Sequence, residues 1–318
     1  MGKTNARRYE ASAEGKVFLG DSLKILDRVE DHSVQLVVTS PPYNIGKEYE
    51  KDQKMNLDEY VAWLAPIIEK LCDKVADSGS ICWQVGNYIK DGEVFPLDYY
   101  FYNIFLKKGM QLRNRIIWNF NFGLHASKRF SGRYETLLWF TKTSDYKFNL
   151  DPVRVPQLYP GKRHSKSKGD RAGKPSGNKL GKNPSDFWTF TSQEAFQQDL
   201  LWSVPNVKSS HPEKTVHPCQ FPSELAERCV MAFTDRGDSV LDPFVGAGTT
   251  VIAAIRHERK GFGIDKDKTY VELARQRIRA FHRNELELRP IGKAVRKPKK
   301  GEKVSQVPEE WEQSGISA

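Results

Sequence analysis

Two hydrophobic rhythms alternate along the chain. Short apolar runs rich in β-branched residues predict strands near Val17 to Leu19 and from Val34 to Val38, and the amphipathic stretch Ser22 to Arg28 between them predicts a helix. A strand, helix, strand succession implies a parallel pair joined by a right-handed crossover. From Asp58 to Val75 the residues Val61, Leu64, Ile67, Ile68, Leu71 and Val75 fall at helical spacing, and "GSICWQVGN" follows as a second buried strand. "LRNRIIWNF" and "ETLLWFTK" are rich in β-formers and predict two more strands, paired as an antiparallel hairpin. Further on, "FPSELAERCVMAFT" reads as an amphipathic helix opening near Pro222 and Ser223, and "DSVLDPFVGAGTTVIAAIRHERKGFGIDKD" as strand, Gly-rich turn, helix, strand. This order predicts an α/β protein with a mostly parallel sheet and helices on both faces.

The rhythm fails in two places. From Arg154 to Lys182 there are nine Lys or Arg, one acidic residue and five Gly, with almost no periodicity. Such a stretch buries too little apolar surface to order itself, so it is expected to be mobile until an anion organises it. From about Leu288 the chain is rich in Lys, Pro and Glu and is expected to be a disordered tail. Charge sharpens this picture: the net formal charge is +10, which favours a polyanionic partner, nucleic acid ahead of anionic lipid. Cys72, Cys82, Cys219 and Cys229 show neither a C-x-x-C spacing nor a disulfide framework, so reduced thiols, a cytoplasmic location and no metal site are expected. No run approaches the roughly 18 apolar residues of a membrane span, and "MGKTNARRYE" lacks the apolar core of a signal peptide.

The candidate chemistry lies at strand ends. "VVTSPPYN" closes a hydrophobic strand with a hydroxyl, two prolines and an aromatic ring; consecutive prolines continue neither helix nor sheet, so the chain leaves regular structure where open α/β sheets place their sites. In "LDPFVGAGTT" the strand ends near Asp242, and Gly246 and Gly248 permit a tight turn before a helix starting around Thr249. The turn lacks a full G-x-G-x-x-G, which argues against a phosphate site. Asp265 ends the next strand, where an acidic residue either accepts ribose hydroxyls or caps a helix.

"TSPPYN" and "DPFVGAGTT" together resemble the DNA amino-methyltransferases, which use S-adenosylmethionine to methylate cytosine N4 or adenine N6. With the PPY motif ahead of the Gly-rich motif, the order resembles their β subgroup, of the restriction-modification type. "GDSL", "HPCQFP" and "GFGID" extend the likeness from about Val17 to Arg283. The resemblance implies a circularly permuted, Rossmann-like class I methyltransferase sheet with a catalytic half at 15–150, a basic target-recognition segment at 151–216, a cofactor-binding half at 217–287 and a tail at 288–318. It implies that Asp242, Phe244, Gly246, Gly248 and Thr249 lie near the methionine end of the cofactor, with His217, Gln220 and Pro222 covering that end. Asp265 would sit at the ribose and Asp21 at the adenine amino group. His217 by itself reads as a structural loop histidine, and the resemblance speaks for its loop rather than its imidazole. Double-stranded DNA is the implied partner, contacted through Arg154, Lys162, Arg163, Lys166, Lys168, Arg171 and Lys174. "NPSDFW" and "PNVKSSHPEKTVHP" would anchor that module. A separately acting cognate endonuclease and a homodimer are compatible with the resemblance.

Ser40, Pro41, Pro42 and Tyr43 then acquire roles. An exocyclic amine is a poor nucleophile because its lone pair is delocalised, so acceptors aimed at its N–H groups favour attack. Ser40 offers a hydroxyl, Pro41 and Pro42 hold the Pro41 carbonyl still, and Tyr43 offers a ring face for a flipped base, with Trp118 as a second wall or a core residue. In the family, Asp or Asn at the first position usually accompanies adenine N6 and Ser more often cytosine N4. Ser40 therefore leans the expectation towards cytosine N4, with adenine N6 as the alternative. Methylation of RNA or of a protein glutamine, and a non-catalytic DNA-binding relative, are the more distant readings.

Overall fold

The computed structural model describes residues 14–44, 55–120, 125–157, 159–164, 169–189, 207 and 211–293. Its main sheet has eight strands in the order β1-β10-β9-β2-β3-β7-β6-β8. They are β1 (Gly15–Leu19), β2 (Val34–Thr39), β3 (Val75–Val85), β6 (Gln111–Asn119), β7 (Tyr134–Thr141), β8 (Phe187–Thr189), β9 (Ser239–Asp242) and β10 (Lys260–Asp265). The pairs from β1 through β3 are all parallel. β7 runs antiparallel to both β3 and β6, so the expected hairpin is present. The remaining strands, β4 (Asn87–Lys90) and β5 (Glu93–Pro96), form a separate ribbon. It turns on Asp91 and Gly92, both at positive φ, as a two-residue hairpin turn requires.

Every residue of β2 is buried, the signature of a parallel strand covered on both faces. On one face Val34 and Val37 join Ile81, Trp83 and Leu138 under helices α2 (Leu57–Lys74) and α3 (Leu97–Lys107). On the other, Leu36 and Val38 join Cys82, Trp139 and Val240 under α4 (Ser223–Phe233) and α5 (Thr249–Arg256). A third cluster packs α5 and α6 (Lys268–His282) around Val17 of β1. α2 starts at a capping box, in which Glu59 N–H donates to Asn56 Oδ1 and Asn56 N–H to Glu59 Oε2, each at 2.9 Å. The helix expected over Ser22 to Arg28 is α1 (Ser22–Ile25) followed by a 3₁₀ turn, Leu26–Arg28, which tightens the last residues. All four cysteines are free thiols. No helix among the described residues is long and apolar enough to cross a membrane.

Two expectations change. In its described residues the basic segment is a backbone-paired excursion rather than a featureless loop, with antiparallel bridges Val155↔Lys182 and Arg163↔Pro175. Main-chain hydrogen bonds replace the apolar burial that the composition denies it: Val155 and Lys182 exchange two, at 3.1 and 2.8 Å, and His164 N–H donates to Lys174 O at 3.0 Å. The C-terminal extension is ordered through its first residues. Leu288 packs on the α5/α6 cluster, and Arg289, which is buried, donates to Glu224 Oε2 at 3.0 Å while its backbone N–H donates to Glu213 Oε1 at 3.0 Å. The remainder of the expected tail, 294–318, lies outside the described residues. "NPSDFW" does attach to the sheet, since Phe187–Thr189 pairs in parallel with β6 and buries Trp188.

Candidate active site

β9 and β2 are parallel neighbours although about two hundred residues separate them, and the strand order reverses there. Such a switch point leaves a crevice at the carboxyl ends of the strands. Here it holds a pocket of ≈ 990 Å³. Asp21 after β1, Ser40 to Tyr43 after β2, Gln84 on β3, Trp118 on β6, Phe244 after β9 and Asp265 on β10 all reach it from the same edge of the sheet. Glu135 joins them from the start of the reversed strand β7.

A hydrogen-bonded suture holds the two sides in register. Thr39 Oγ1–H donates to Asp242 Oδ1 at 2.6 Å, Thr250 Oγ1–H donates to Asp242 Oδ2 at 2.8 Å, and Phe244 N–H donates to Oδ1 at 3.0 Å. Asp242 is only 1% exposed, and burial pushes its carboxyl up to about 6 against these three bonds. Asp242 therefore sits behind the pocket wall. Thr249 is buried as well, and Gly246 and Gly248 serve the turn. Gly246 has φ +46°, and a Cβ there would meet His217 Nε2 at 2.8 Å; Gly248 has φ +81° and would meet Ala274 Cβ at 3.0 Å. Glycine is needed for backbone shape and close packing of the covering loop and helix.

Asp265 does reach the pocket. Its Oδ2 accepts from Gly246 N–H and its Oδ1 from Asp267 N–H, both at 2.9 Å, and burial raises its pKa. The helix-capping role belongs instead to Asp267, which accepts from Thr269 N–H at 2.7 Å. Asp21 caps α1 through Leu23 N–H at 2.8 Å and also faces the pocket. His217 packs edge-on against Tyr270, centroids 4.5 Å apart, and burial lowers its pKa to about 4, so the ring is neutral at physiological pH. Gln220 lines the pocket, but its amide is engaged inside the loop, donating to Glu213 O at 2.8 Å and accepting from Thr215 Oγ1–H at 2.9 Å. Trp118 is both core and wall, 2% exposed and on the pocket surface.

Around the S-P-P-Y turn, Tyr60 Oη–H donates to Pro42 O at 2.5 Å, fixing the turn against α2. Ser40 Oγ–H donates to Tyr43 Oη at 2.9 Å, Tyr43 Oη–H to Glu135 Oε2 at 3.2 Å, and Gln84 Nε2–H to the same oxygen at 2.6 Å. Sequence reasoning passed over Glu135 and Gln84, as well as Trp63 and Pro66 of α2, which line the pocket beside Phe244. The signal was a lone polar residue in the apolar run "ICWQV" and a carboxylate opening "ETLLWFTK". Among the described residues no group of acidic, His and Cys side chains could hold a metal.

The basic excursion divides by geometry. Arg154 is committed to its base, donating to Asp151 Oδ1 at 2.6 Å and to Gly181 O at 3.0 Å, and Arg163 donates to Gly173 O at 2.7 Å. Lys162, Arg171 and Lys174 are exposed. Lys166 and Lys168 lie outside the described residues.

Three comparisons meet this geometry. Type II methyltransferase M.BglII from Bacillus subtilis is 47% identical over 262 residues, covering 82% of this chain and 68% of that protein. The PvuII DNA methyltransferase, named cytosine-N4-specific, superposes with a TM-score of 0.61 at 20% identity over 86% of this chain and 93% of that one, a likeness of fold. A putative DNA modification methylase from Thermus thermophilus, solved complexed with S-adenosyl-L-methionine, superposes with a TM-score of 0.54 at 27% identity, over 84% of this chain and 95% of that one. The family model described as DNA methylase matches residues 34–276, from the first residue of the S-P-P-Y strand to within α6, so the chain belongs to the N6/N4 family of DNA methylases.

Proposed function

We propose that this chain transfers a methyl group from S-adenosylmethionine to an exocyclic amino group of a base flipped out of double-stranded DNA at a specific sequence, with cytosine N4 as the target. The observation that carries it is that one pocket of ≈ 990 Å³ holds the S-P-P-Y turn and, beside it, Phe244, Asp21 and Asp265. Pockets for single drug-sized ligands run from about 300 to 1,000 Å³, so this one has room for a nucleoside cofactor and a base together. The donor set suits the cofactor. Carboxylates at Asp21 and Asp265 can accept from an adenine amine and ribose hydroxyls, and the Phe244 and Trp63 rings, 6.1 Å apart, offer an apolar surface. His217, neutral at physiological pH, places no positive charge beside a cationic sulfonium.

When bound, the cofactor supplies a methyl group already activated for attack by a neutral nitrogen. The protein's part is to hold the amine. Ser40 Oγ and the Pro41 carbonyl accept from its two N–H groups, and Tyr43 and Trp118 wall the base. Residues 151–216 serve target recognition, with Lys162, Arg171 and Lys174 on phosphates and Arg154 and Arg163 shaping the excursion. Cytosine N4 follows from Ser40 at the head of the motif. As a modification enzyme the protein would act in the cytoplasm, alongside and separately from a cognate endonuclease.

Label from the cofactor's methyl group, followed in parallel into DNA, RNA and protein, tests the substrate class. Mass spectrometry of nucleosides from the methylated DNA tests the base. N4-methylcytosine supports the proposal, and N6-methyladenine alone overturns the choice of base.

A further inference from the structure

Ser40, Tyr43 and Glu135 form a directed chain whose far end is a carboxylate. An ionised carboxylate only accepts, so the Tyr43 proton must point at Glu135, at 3.2 Å. The Tyr43 oxygen is then left to accept from Ser40, at 2.9 Å, and the Ser40 hydroxyl proton is turned away from the pocket. Gln84 fixes the carboxylate by donating to the same oxygen at 2.6 Å. Serine is ordinarily ambivalent, able to donate or accept. Here its environment leaves it the acceptor's role towards anything in the pocket.

Resting on the DNA amino-methyltransferase reading above, we propose that Glu135 is a positioning residue that orients Ser40 through Tyr43 and takes up the proton the target amine loses. The balance closes. As the nitrogen's lone pair becomes the new N–C bond, the methyl group's bond to the donor sulfur breaks and its electron pair stays on that sulfur, which ends as a neutral thioether; the nitrogen turns cationic and must shed one proton. That proton passes to Ser40 Oγ, the Ser40 proton to Tyr43 Oη, and the Tyr43 proton to Glu135 Oε2. Ser40 and Tyr43 end unchanged, Glu135 ends protonated, and the product is a neutral secondary amine; Glu135 later returns its proton to water. Ser40 places a hydroxyl where a carboxylate would accept more strongly, and in this chain a carboxylate stands two hydrogen bonds behind it. Its surroundings suit a proton acceptor. From β3 Glu135 meets Gln84, from the turn after β2 it meets Tyr43, and its cross-strand partner on β6 is Trp118. Of these only Tyr43 titrates, and it stays protonated because burial raises its pKa. Burial likewise holds Glu135 above the ordinary glutamate value.

Two measurements test this. In the cofactor-free chain, a ¹³C carboxyl titration followed by NMR should show the Glu135 midpoint moving up on Tyr43→Phe, which keeps the ring and deletes the bond; an unmoved midpoint overturns the chain. In single-turnover methylation of DNA between pH 5 and 9, Glu135→Gln and Tyr43→Phe should each slow transfer by about 100-fold or more with cofactor affinity unchanged. The wild-type rate should rise with pH through the Glu135 ionisation, and Glu135→Gln should lose that rise. A slow Glu135→Gln beside a wild-type Tyr43→Phe would mean that Glu135 meets the base directly, and would sink the relay. If the wild type methylates RNA or protein instead of DNA, the functional reading fails while the NMR titration still judges the hydrogen-bond chain.

Discussion

The pocket and the basic excursion are held by opposite means. Across the pocket, Thr39 and Asp242 meet from 203 positions apart, Thr39 on a strand buried along its whole length, and Tyr43 and Glu135 meet from 92. In the excursion the bridges Val155↔Lys182 and Arg163↔Pro175 are closed by local main-chain bonds, and most of its side chains are exposed. Long-range bonds inside a close-packed core fix positions to a fraction of an ångström, whereas a solvent-exposed ribbon opens at little cost. Methyl transfer needs the first property. Following a polyanion, the role proposed for the excursion, needs the second.

The largest effect should come from the suture. Asp242 has its folded pKa raised from 3.8 to about 6, so the folded state binds the proton more tightly than the unfolded chain does. Below about pH 4 both states are protonated and the site costs nothing. The cost grows as pH rises towards 6 and is constant above, reaching at most about 3 kcal/mol. Asn keeps the acceptor oxygen for Thr39 and Phe244, and Thr250 can turn its proton to Val38 O, where it already lies 3.2 Å away. The stability of Asp242→Asn relative to wild type should therefore improve from pH 4 to 6 and then level off in urea titrations; a difference independent of pH would refute this.

Next in size is Asp265→Ala. Removing the carboxylate that accepts from Gly246 and Asp267 and faces the pocket should weaken cofactor binding by about 1.5–3 kcal/mol while the chain stays folded. Calorimetry with the cofactor reads this directly, and unchanged affinity would move the cofactor away from β10.

Neutralising Lys162, Arg171 and Lys174 together should leave cofactor affinity intact and weaken DNA binding. Each lost phosphate contact should reduce the slope of log K against log salt by about 0.9. Titrations at several salt concentrations decide it, and a slope equal to the parent's would make the exposed lysines and arginine bystanders.

The smallest effect belongs to Arg154→Ala. This arginine is tied to Asp151 and Gly181, so its loss should speed amide exchange around Val155 and Lys182 and change the salt slope less than the triple variant does. A full unit of slope from this one change would return Arg154 to the phosphate contacts.

The sequence by itself determined the alternation of strands and helices, the antiparallel hairpin, and the two strand-end motifs, because periodicity, proline and glycine act over a few residues. It also marked the basic segment through composition, though not its pairing, since main-chain hydrogen bonds leave little trace in side-chain pattern. Only the tertiary structure decided which acidic residue faces the pocket and which lies behind it. Asp242 and Asp265 end neighbouring strands and look alike in sequence, yet Thr39 and Thr250 enclose the first while the second stays on the pocket surface. Glu135 was invisible for the same reason. Its importance comes from β7 running backwards beside β3, which sets a carboxylate against Tyr43, and strand direction is fixed by packing between segments far apart in the chain.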